Sequence, residues 1–397
     1  MFTLNDNKIK ILVGVKKINV TPITPFDKNV LNFLSDFSKK ILTYEDINKF
    51  PDLLTFGFWC RRKNLEIKKK AFLKEGIRIG YGLAFHIVPS NIPINFLYSF
   101  IFGLLSGNSN IIRMPTILYS QSEIAIKILN NLLNKKKYKQ LKLMNSFIQY
   151  NHDKVITDLI SKNCNARIIW GGDKTINKII ESKISHRTIE IKFSDRYSVA
   201  IINSNKIIRD SKLKIRNLAK HFYNDTYLVD QNACSSPHII FWTGNHISKA
   251  KKIFWKQVEK LVKDRFEFKF INTVDRITLL QNNAIKLKKL DFAYYSPYLA
   301  RININKINDI TTDYRGYAGV FFEFSLLKID DLKKVINPKF QTISYFGIDK
   351  NEIQKLILNN NLTGVDRIVP IGKALNIDLT WDGIDIVNKL SRIISTE

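Results

Sequence analysis

Between residues 83 and 181 a buried-strand pattern followed by a helical pattern recurs three times, and this alternation limits the fold more than any other feature of the chain. Leu83-Ala-Phe-His-Ile-Val88 reads as a buried strand, Pro89-Ser-Asn-Ile-Pro93 as a turn, and Asn95 to Ser106 as a helix closed by Gly107. Asn110-Ile-Ile-Arg-Met114 is a second strand, stopped by Pro115, and Ser120 to Leu133 is a second helix. Ala166-Arg-Ile-Ile-Trp170, the turn Gly171-Gly172 and a helix from Asp173 to Glu181 complete the series. Strands alternating with helices predict a parallel sheet with helices on its faces. Ligands of such sheets bind outside the carboxyl ends of the strands.

The character changes after Arg196. Tyr197-Ser-Val-Ala-Ile-Ile202 starts a new strand, Pro237-His-Ile-Ile-Phe-Trp242 is another, and a domain boundary falls near Glu190 to Ser194. The chain has 397 residues, 45% of them hydrophobic, which suits two or three folded domains. Its first fifty residues mix short apolar runs such as Ile9-Lys-Ile-Leu-Val13 with a connector around Pro22 and Pro25, and read as an irregular or edge-strand start. Between Ser248 and Arg265, Phe254, Val258, Leu261 and Val262 share one helical face while lysines take the other, most simply a solvated face. The most apolar stretch, Ile92 to Leu105, is interrupted by Pro93, Asn95 and Ser99. It falls short of the roughly 20 residues of a spanning helix, so it reads as a buried helix and no transmembrane segment is expected. The N-terminus lacks the continuous apolar core of a signal peptide, which makes a cytoplasmic protein the expectation.

The net charge of +28 raises nucleic acid or an anionic surface as a partner. Lysine is spread through every part of the chain, however, as a compositional bias would spread it, and aromatic residues are not interleaved with the basic runs as in a stacking platform. No specific nucleic-acid partner is expected. Three cysteines without a C-x-x-C pair exclude a disulfide framework and a structural zinc site, and no metal is expected.

Three features carry candidate chemistry. Gly171-Gly172, between a strand and a helix, permits close approach of a ligand to the backbone, or is ordinary turn chemistry. Asn91, between prolines, is a turn former that could also point its amide at a developing oxyanion. Cys234, in Asp230-Gln-Asn-Ala-Cys-Ser-Ser-Pro237, occupies a polar, turn-like segment where a thiolate would be favoured. Cys60 reads as core and Cys164 as part of a polar turn with no apparent partner. His86 and His238 sit in strands and read as satisfied core histidines.

Taken together, His86-Ile-Val-Pro-Ser-Asn-Ile-Pro93, Gly103-Leu-Leu-Ser-Gly-Asn-Ser-Asn-Ile-Ile-Arg-Met-Pro115, Trp170-Gly-Gly-Asp173 and Gln231-Asn-Ala-Cys-Ser-Ser-Pro237 resemble the acyl-CoA reductase (LuxC-type fatty-acid reductase) family, a branch of the aldehyde dehydrogenase superfamily. Phe58-Trp-Cys-Arg-Arg-Lys63, Gly364-Val-Asp-Arg-Ile-Val-Pro-Ile-Gly372 and Trp381-Asp-Gly383 extend the similarity over roughly Thr55 to Ile394.

The resemblance implies an α/β, aldehyde-dehydrogenase-like fold of two Rossmann-like domains. Residues 1–192 would form the N-terminal region and dinucleotide-binding domain and 193–365 the catalytic domain. Residues 366–397 would pack back on the first domain or at an oligomer interface. It further implies reduction of a fatty acyl thioester, on CoA, an acyl carrier or an acyl-transferring protein, to the aldehyde, by a homo-oligomer. Cys234 takes the nucleophile's place and Asn91 that of the side-chain oxyanion donor. Gly171 and Gly172 match the cofactor-domain turn, and Val88, Pro89 and Ser90 the stretch lining the nicotinamide side. Arg113, followed by Pro115, stands where a lysine usually meets the adenosine ribose, and Thr116 where an acid would favour NAD. That pair implies NADPH, with NADH as the alternative. Arg315 replaces the superfamily's ribose-binding Glu, and Glu190, near the place of a water-activating Glu, reads as structural. The competing readings are an oxidative aldehyde dehydrogenase and a basic protein binding nucleic acid or an anionic surface on an inactive enzyme fold.

Overall fold

Leu83–Ile87 is buried at every position, as a strand must be when helices cover both faces of its sheet. Its parallel neighbours are Ser109–Arg113 on one side and Ala166–Trp170 on the other. The computed structural model describes residues 1–72, 76–267, 270–286 and 290–395, and places these three strands in a six-stranded sheet. The order across it is Lys10–Gly14, Asn145–Gln149, Ser109–Arg113, Leu83–Ile87, Ala166–Trp170 and Ile189–Phe193, with only Lys10–Gly14 antiparallel. The chain builds outward from Leu83–Ile87 in one direction, then returns and builds in the other. That reversal leaves a topological switch point between Leu83–Ile87 and Ala166–Trp170. The apolar run becomes the helix Asn95–Leu105, buried throughout, and Ser120–Leu133 and Asp173–Ile180 follow as helices.

The chain folds as two units, Met1–Ser194 with Ile377–Glu397, and Asp195–Asn376. In the second unit the sheet runs Asp291–Tyr295, Ala300–Asn303, Val320–Ser325, Pro237–Thr243, Tyr197–Asn203, Phe340–Phe346 and Arg367–Pro370. Every adjacent pair is parallel except the first. Residues 366–376 therefore group with the second unit, whereas the family resemblance implied a separate C-terminal segment from 366. Arg367–Pro370 is a four-residue edge strand, only partly buried, and so short an element carries little periodic signal. In the first unit Ser391–Ile393 pairs antiparallel with Arg78–Gly80.

The start of the chain is more regular than its sequence suggested. Lys10–Gly14 is indeed an edge strand, but Lys28–Leu42 is a full helix. Asp27 caps it, accepting from the amide of Asn29 at 2.7 Å and of Val30 at 3.4 Å. Val30, Phe33, Leu34, Phe37 and Ile41 recur at helical spacing and form its buried face. Phe37 then meets Phe56 of the helix Pro51–Trp59 edge to face at 5.9 Å, and Phe56 meets Tyr98 at 4.9 Å.

One buried charge in this unit needs an explanation. Arg167 lies mid-strand, its side chain 2% exposed, and its guanidinium is bound by Glu190 on the neighbouring strand at 2.5 Å. Its Nη1 also donates to Ser161 Oγ at 3.0 Å and to the Ser182 carbonyl at 2.6 Å. Glu190 is thus the counter-ion that makes this burial tolerable. Glu190→Ala, which strands the guanidinium in the core, should cost about 3 kcal/mol of unfolding free energy in urea titrations.

Candidate active site

In the first unit the carboxyl ends of the sheet converge on a cleft. Val88, Pro89 and Ser90 leave strand Leu83–Ile87, Pro115 follows Ser109–Arg113, and these four line the cleft with Ile117 and Tyr119. Prolines at 89, 93 and 115 end both strands there, because each lacks the amide that would continue a ladder. Asn91, in the turn between the strand and helix Asn95–Leu105, is exposed. Gly171 and Gly172 follow the adjacent strand Ala166–Trp170. Gly172 has an ordinary extended backbone, with φ of −67°, and a Cβ added to it would meet open space. The chain itself does not require glycine at 172. Arg113 lies over the Tyr150 ring, 4.6 Å from its centroid, with Nη2 3.4 Å from His152 Nδ1 and Nε buried without a hydrogen-bond partner. Thr116 is exposed, and its carbonyl accepts from Gln149 Nε2 at 3.3 Å.

In the second unit Cys234 sits three residues before strand Pro237–Thr243, at the amino end of a parallel sheet. The segment leading to it is held in an unusual shape. Asp230 and Gln231 both adopt the left-handed conformation, with φ of 50° and 63°, uncommon for residues with a side chain. Gln231, buried, holds them there. Its Nε2 donates to the carbonyls of Pro237 at 3.0 Å and Val320 at 3.1 Å, and its Oε1 accepts from the Gly319 amide at 3.4 Å. Gly316 makes room for this staple, since a Cβ there would lie 1.8 Å from the Val320 carbonyl and 2.7 Å from Gln231 Nε2.

Beyond the staple, Ser198 Oγ donates to the Cys234 carbonyl at 2.6 Å and accepts from the Thr342 amide at 3.2 Å. Gln341 Nε2 reaches the Cys234 sulfur at 3.6 Å. A donor aimed at sulfur favours the thiolate over the thiol. Ser236 Oγ donates to the carbonyl of Asp225, whose carboxylate accepts from the amides of Gly372 at 2.6 Å and Ala374 at 3.0 Å. Burial pushes the Asp225 carboxyl up to about 7, against the pull of those amides and of Arg367. Arg367 closes the circuit, donating to the carbonyls of Ala374 and Asn376 at 2.9 Å and to Thr342 Oγ1 at 3.4 Å.

The other candidates fall outside this arrangement. Cys60 is buried in the first unit's core, and burial raises its thiol far above the ordinary value. Cys164 is not part of an open polar turn: it too is buried, its sulfur donating to the Ser161 carbonyl at 3.2 Å, and burial pushes it up to about 12. Cys234 alone of the three keeps partial exposure. His86 is enclosed between Ser99 Oγ at 2.8 Å and Asn110 Oδ1 at 3.0 Å, and burial lowers it to about 4. His238 accepts from the Gly316 amide at 3.1 Å and is lowered to about 3, first by burial and then by nearby Arg315. Both are core histidines. Arg315 itself is tied to Asp195 at 2.7 Å and to the Arg196 carbonyl at 3.2 Å. Sequence reasoning missed Ser198, Asp225 and Gln341. Gln341 lies 107 residues beyond Cys234, so no local pattern could join them.

Residues 63–260, which include Asn91 and Cys234, match the acyl-CoA reductase (LuxC) family. The chain belongs to that family. It is 22% identical over 335 residues to the long-chain acyl-protein thioester reductase of Vibrio harveyi, taking in 79% of this chain and 63% of that one. With the enzyme of the same name from Aliivibrio fischeri it shares 22% over 184 residues, 46% of this chain and 36% of that one. The chain thus spans less than two thirds of the length of either relative. Among solved structures, indole-3-acetaldehyde dehydrogenase in complex with NAD+ superposes with a TM-score of 0.62 at 11% identity, over 93% of this chain and 82% of that one. The LuxC-family chain accordingly has the aldehyde dehydrogenase fold, with two Rossmann-like units.

Two measurements probe the second unit. Gln341→Ala removes the donor at sulfur, so alkylation of Cys234 by iodoacetamide in the folded protein should shift to higher pH, and because Gln341 is buried the unfolding temperature should also fall. For Asp225, the folded carboxyl titrates at about 7 against an ordinary value of 3.8, so the folded state holds the proton more tightly. Its contribution to stability is therefore complete below pH 4 and is lost as pH rises through 7. Urea titrations should show wild-type stability falling between pH 4 and 8 relative to Asp225→Asn.

Proposed function

We propose that this chain is an NAD(P)H-dependent reductase that converts a long-chain acyl thioester to an aldehyde through acyl-Cys234. The observation that carries this reading is the seat of Cys234, the one partly exposed cysteine, with its carbonyl held by Ser198 and its sulfur met by Gln341. The names of the two bacterial relatives support an acyl group carried on a protein, with acyl-CoA as the alternative donor.

Two features near the cleft support a dinucleotide there. Glycine at 172 faces open space that a ligand's phosphate would use, and the half-buried Arg113 brings a cation to the end of strand Ser109–Arg113. Val88, Pro89, Ser90 and Pro115 would hold it, with Gly171, Gly172, Arg113 and Thr116 at its margins. Arg113 and the absence of an acid at Thr116 favour NADPH over NADH. When bound, the nicotinamide supplies the hydride that reduces the acyl carbon.

The protein's own part is nucleophilic. The Cys234 thiolate adds to the thioester carbonyl, its S–C bond forms as the bond to the leaving thiol breaks, and the departing thiolate takes up a proton. Gln341 stabilises the attacking sulfur before that step, and the exposed amide of Asn91 is the oxyanion donor assigned by the family pattern. After reduction, breakage of the C–S bond frees the aldehyde and returns the thiolate. Water activation is not needed, and Glu190 is already committed to Arg167.

Intact-mass measurement after incubation with long-chain acyl-CoA in the absence of reductant should show one acyl adduct on the wild type and none on Cys234→Ala. Adding NADPH should discharge the adduct as aldehyde faster than adding NADH. An adduct that persists in Cys234→Ala, or that yields only free acid, would refute the proposal.

A further inference from the structure

Strand Phe340–Phe346 does not pair evenly with its neighbour Tyr197–Asn203. Phe340 stands opposite Tyr197 and Thr342 opposite Ser198, which leaves Gln341 as an extra residue in a β-bulge. A bulge interrupts the alternation of side chains between the two faces of a sheet and re-aims one of them. Here it lets two consecutive side chains meet. Thr342 Oγ1 lies 3.3 Å from Gln341 Oε1, and Gln341 Nε2 lies 3.6 Å from the Cys234 sulfur. Both residues are buried, so bulk water does not compete for these bonds.

The chemistry of the partners gives this row of hydrogen bonds one direction. A guanidinium can only donate, and Arg367 Nη1 approaches Thr342 Oγ1 at 3.4 Å, so the hydroxyl accepts there. Its own proton is directed at Gln341. The end of the amide that can accept it is the carbonyl oxygen, and the nitrogen is thereby turned to the sulfur. Reversed, the amide would aim its oxygen at the sulfur and disfavour a thiolate. Thr342 reaches the same seat a second way, because its backbone amide donates at 3.2 Å to Ser198 Oγ, which in turn donates to the Cys234 carbonyl. Other charged groups on the surrounding elements are engaged elsewhere: Arg196 holds Asp366, and Asp225 takes the amides of Gly372 and Ala374.

We propose that Thr342 is a positioning residue for Cys234, its hydroxyl, polarised by Arg367, holding the Gln341 amide with the nitrogen toward the sulfur. The inference rests on the reading of Cys234 as the nucleophile and deepens it. Hydrogen bonds in a row polarise one another, so the cation at the far end strengthens the donor at the sulfur. Thr342 touches no reacting atom, and its hydroxyl acts through Gln341.

The rate of Cys234 alkylation by iodoacetamide against pH, followed by mass spectrometry on the full chain, reads the thiolate and needs no substrate. Thr342→Val keeps the shape of the side chain and removes the hydroxyl. It should slow alkylation at neutral pH by about three- to tenfold and move the profile to higher pH. Thr342→Ser restores the hydroxyl and should return the profile to that of the wild type. In a Gln341→Ala background Thr342→Val should change nothing further, because the amide it orients is gone. Asp225, whose carboxyl burial pushes up to about 7, is present in every variant and cancels in the comparison. Thr342→Ala, being smaller, carries the same test if Val is not accommodated, and a cooperative thermal transition identifies folded protein. A profile unmoved by loss of the hydroxyl, left unrestored by Ser, or slowed as much without Gln341 as with it, overturns the proposal. If the wild type takes no acyl group while these profiles hold, the reductase reading fails and the role of Thr342 at the sulfur stands.

Discussion

Gln231 holds two consecutive residues, Asp230 and itself, in the left-handed region, and the position of everything downstream follows from that constraint. Left-handed backbone at residues with a Cβ costs on the order of 1 kcal/mol or more each, so the shape persists only where the surroundings over-determine it. Here they do so through the buried amide of Gln231, which bonds to Pro237, Val320 and Gly319 together. A buried amide with its partners satisfied is strongly directional, since losing any one of them exposes a desolvated polar group. Cys234, three residues on, is thereby delivered to Ser198 and Gln341 rather than left on a mobile loop. The absence of a side chain at Gly316 belongs to the same device.

The two parallel sheets are used differently. In the first unit the cleft lies at the carboxyl ends of Leu83–Ile87 and Ser109–Arg113, one strand over from the switch between Leu83–Ile87 and Ala166–Trp170. In the second, Cys234, Ser198 and Gln341 all stand at the amino ends of adjacent strands, where loops rather than strand order make the site. Such a site needs its own scaffolding. The circuit from Ser236 through Asp225, Gly372 and Ala374 to Arg367 and Thr342 supplies it.

Charge is handled in two ways. Inside, ionised groups are enclosed by partners: Arg167 by Glu190, and the buried Glu323 by the indoles of Trp242 and Trp255 at 2.8 Å and by Arg301 at 2.8 Å. Outside, much of the excess lysine is dispersed, as its even distribution along the sequence suggested. The lysines on Ile247–Arg265 form an ordered stripe, and on another helix, Phe270–Lys286, the apolar side faces outward. Periodicity alone would have buried Phe270, Val274 and Ile277. The loop at Tyr317 and the carbonyls at Ser296 and Pro297 need donors, and Asn272 and Arg276 turn inward to supply them.

Local pattern determined the three strand–helix pairs between Leu83 and Glu181, the burial of Asn95–Leu105, the core histidines, and the turns that carry Asn91, Gly171, Gly172 and Cys234. These are legible because periodicity, prolines and glycines act on their immediate neighbours. The helix Lys28–Leu42 was legible in the same way and was overlooked, its spacing of Val30, Phe33, Phe37 and Ile41 masked by the prolines before it. Tertiary structure alone decided the company each chemical group keeps: Gln341 and Ser198 for Cys234, Glu190 for Arg167, Asp225 for Gly372. Hydrogen bonds and ion pairs between distant segments depend on how strands are ordered in space, and a one-dimensional pattern holds no record of that order.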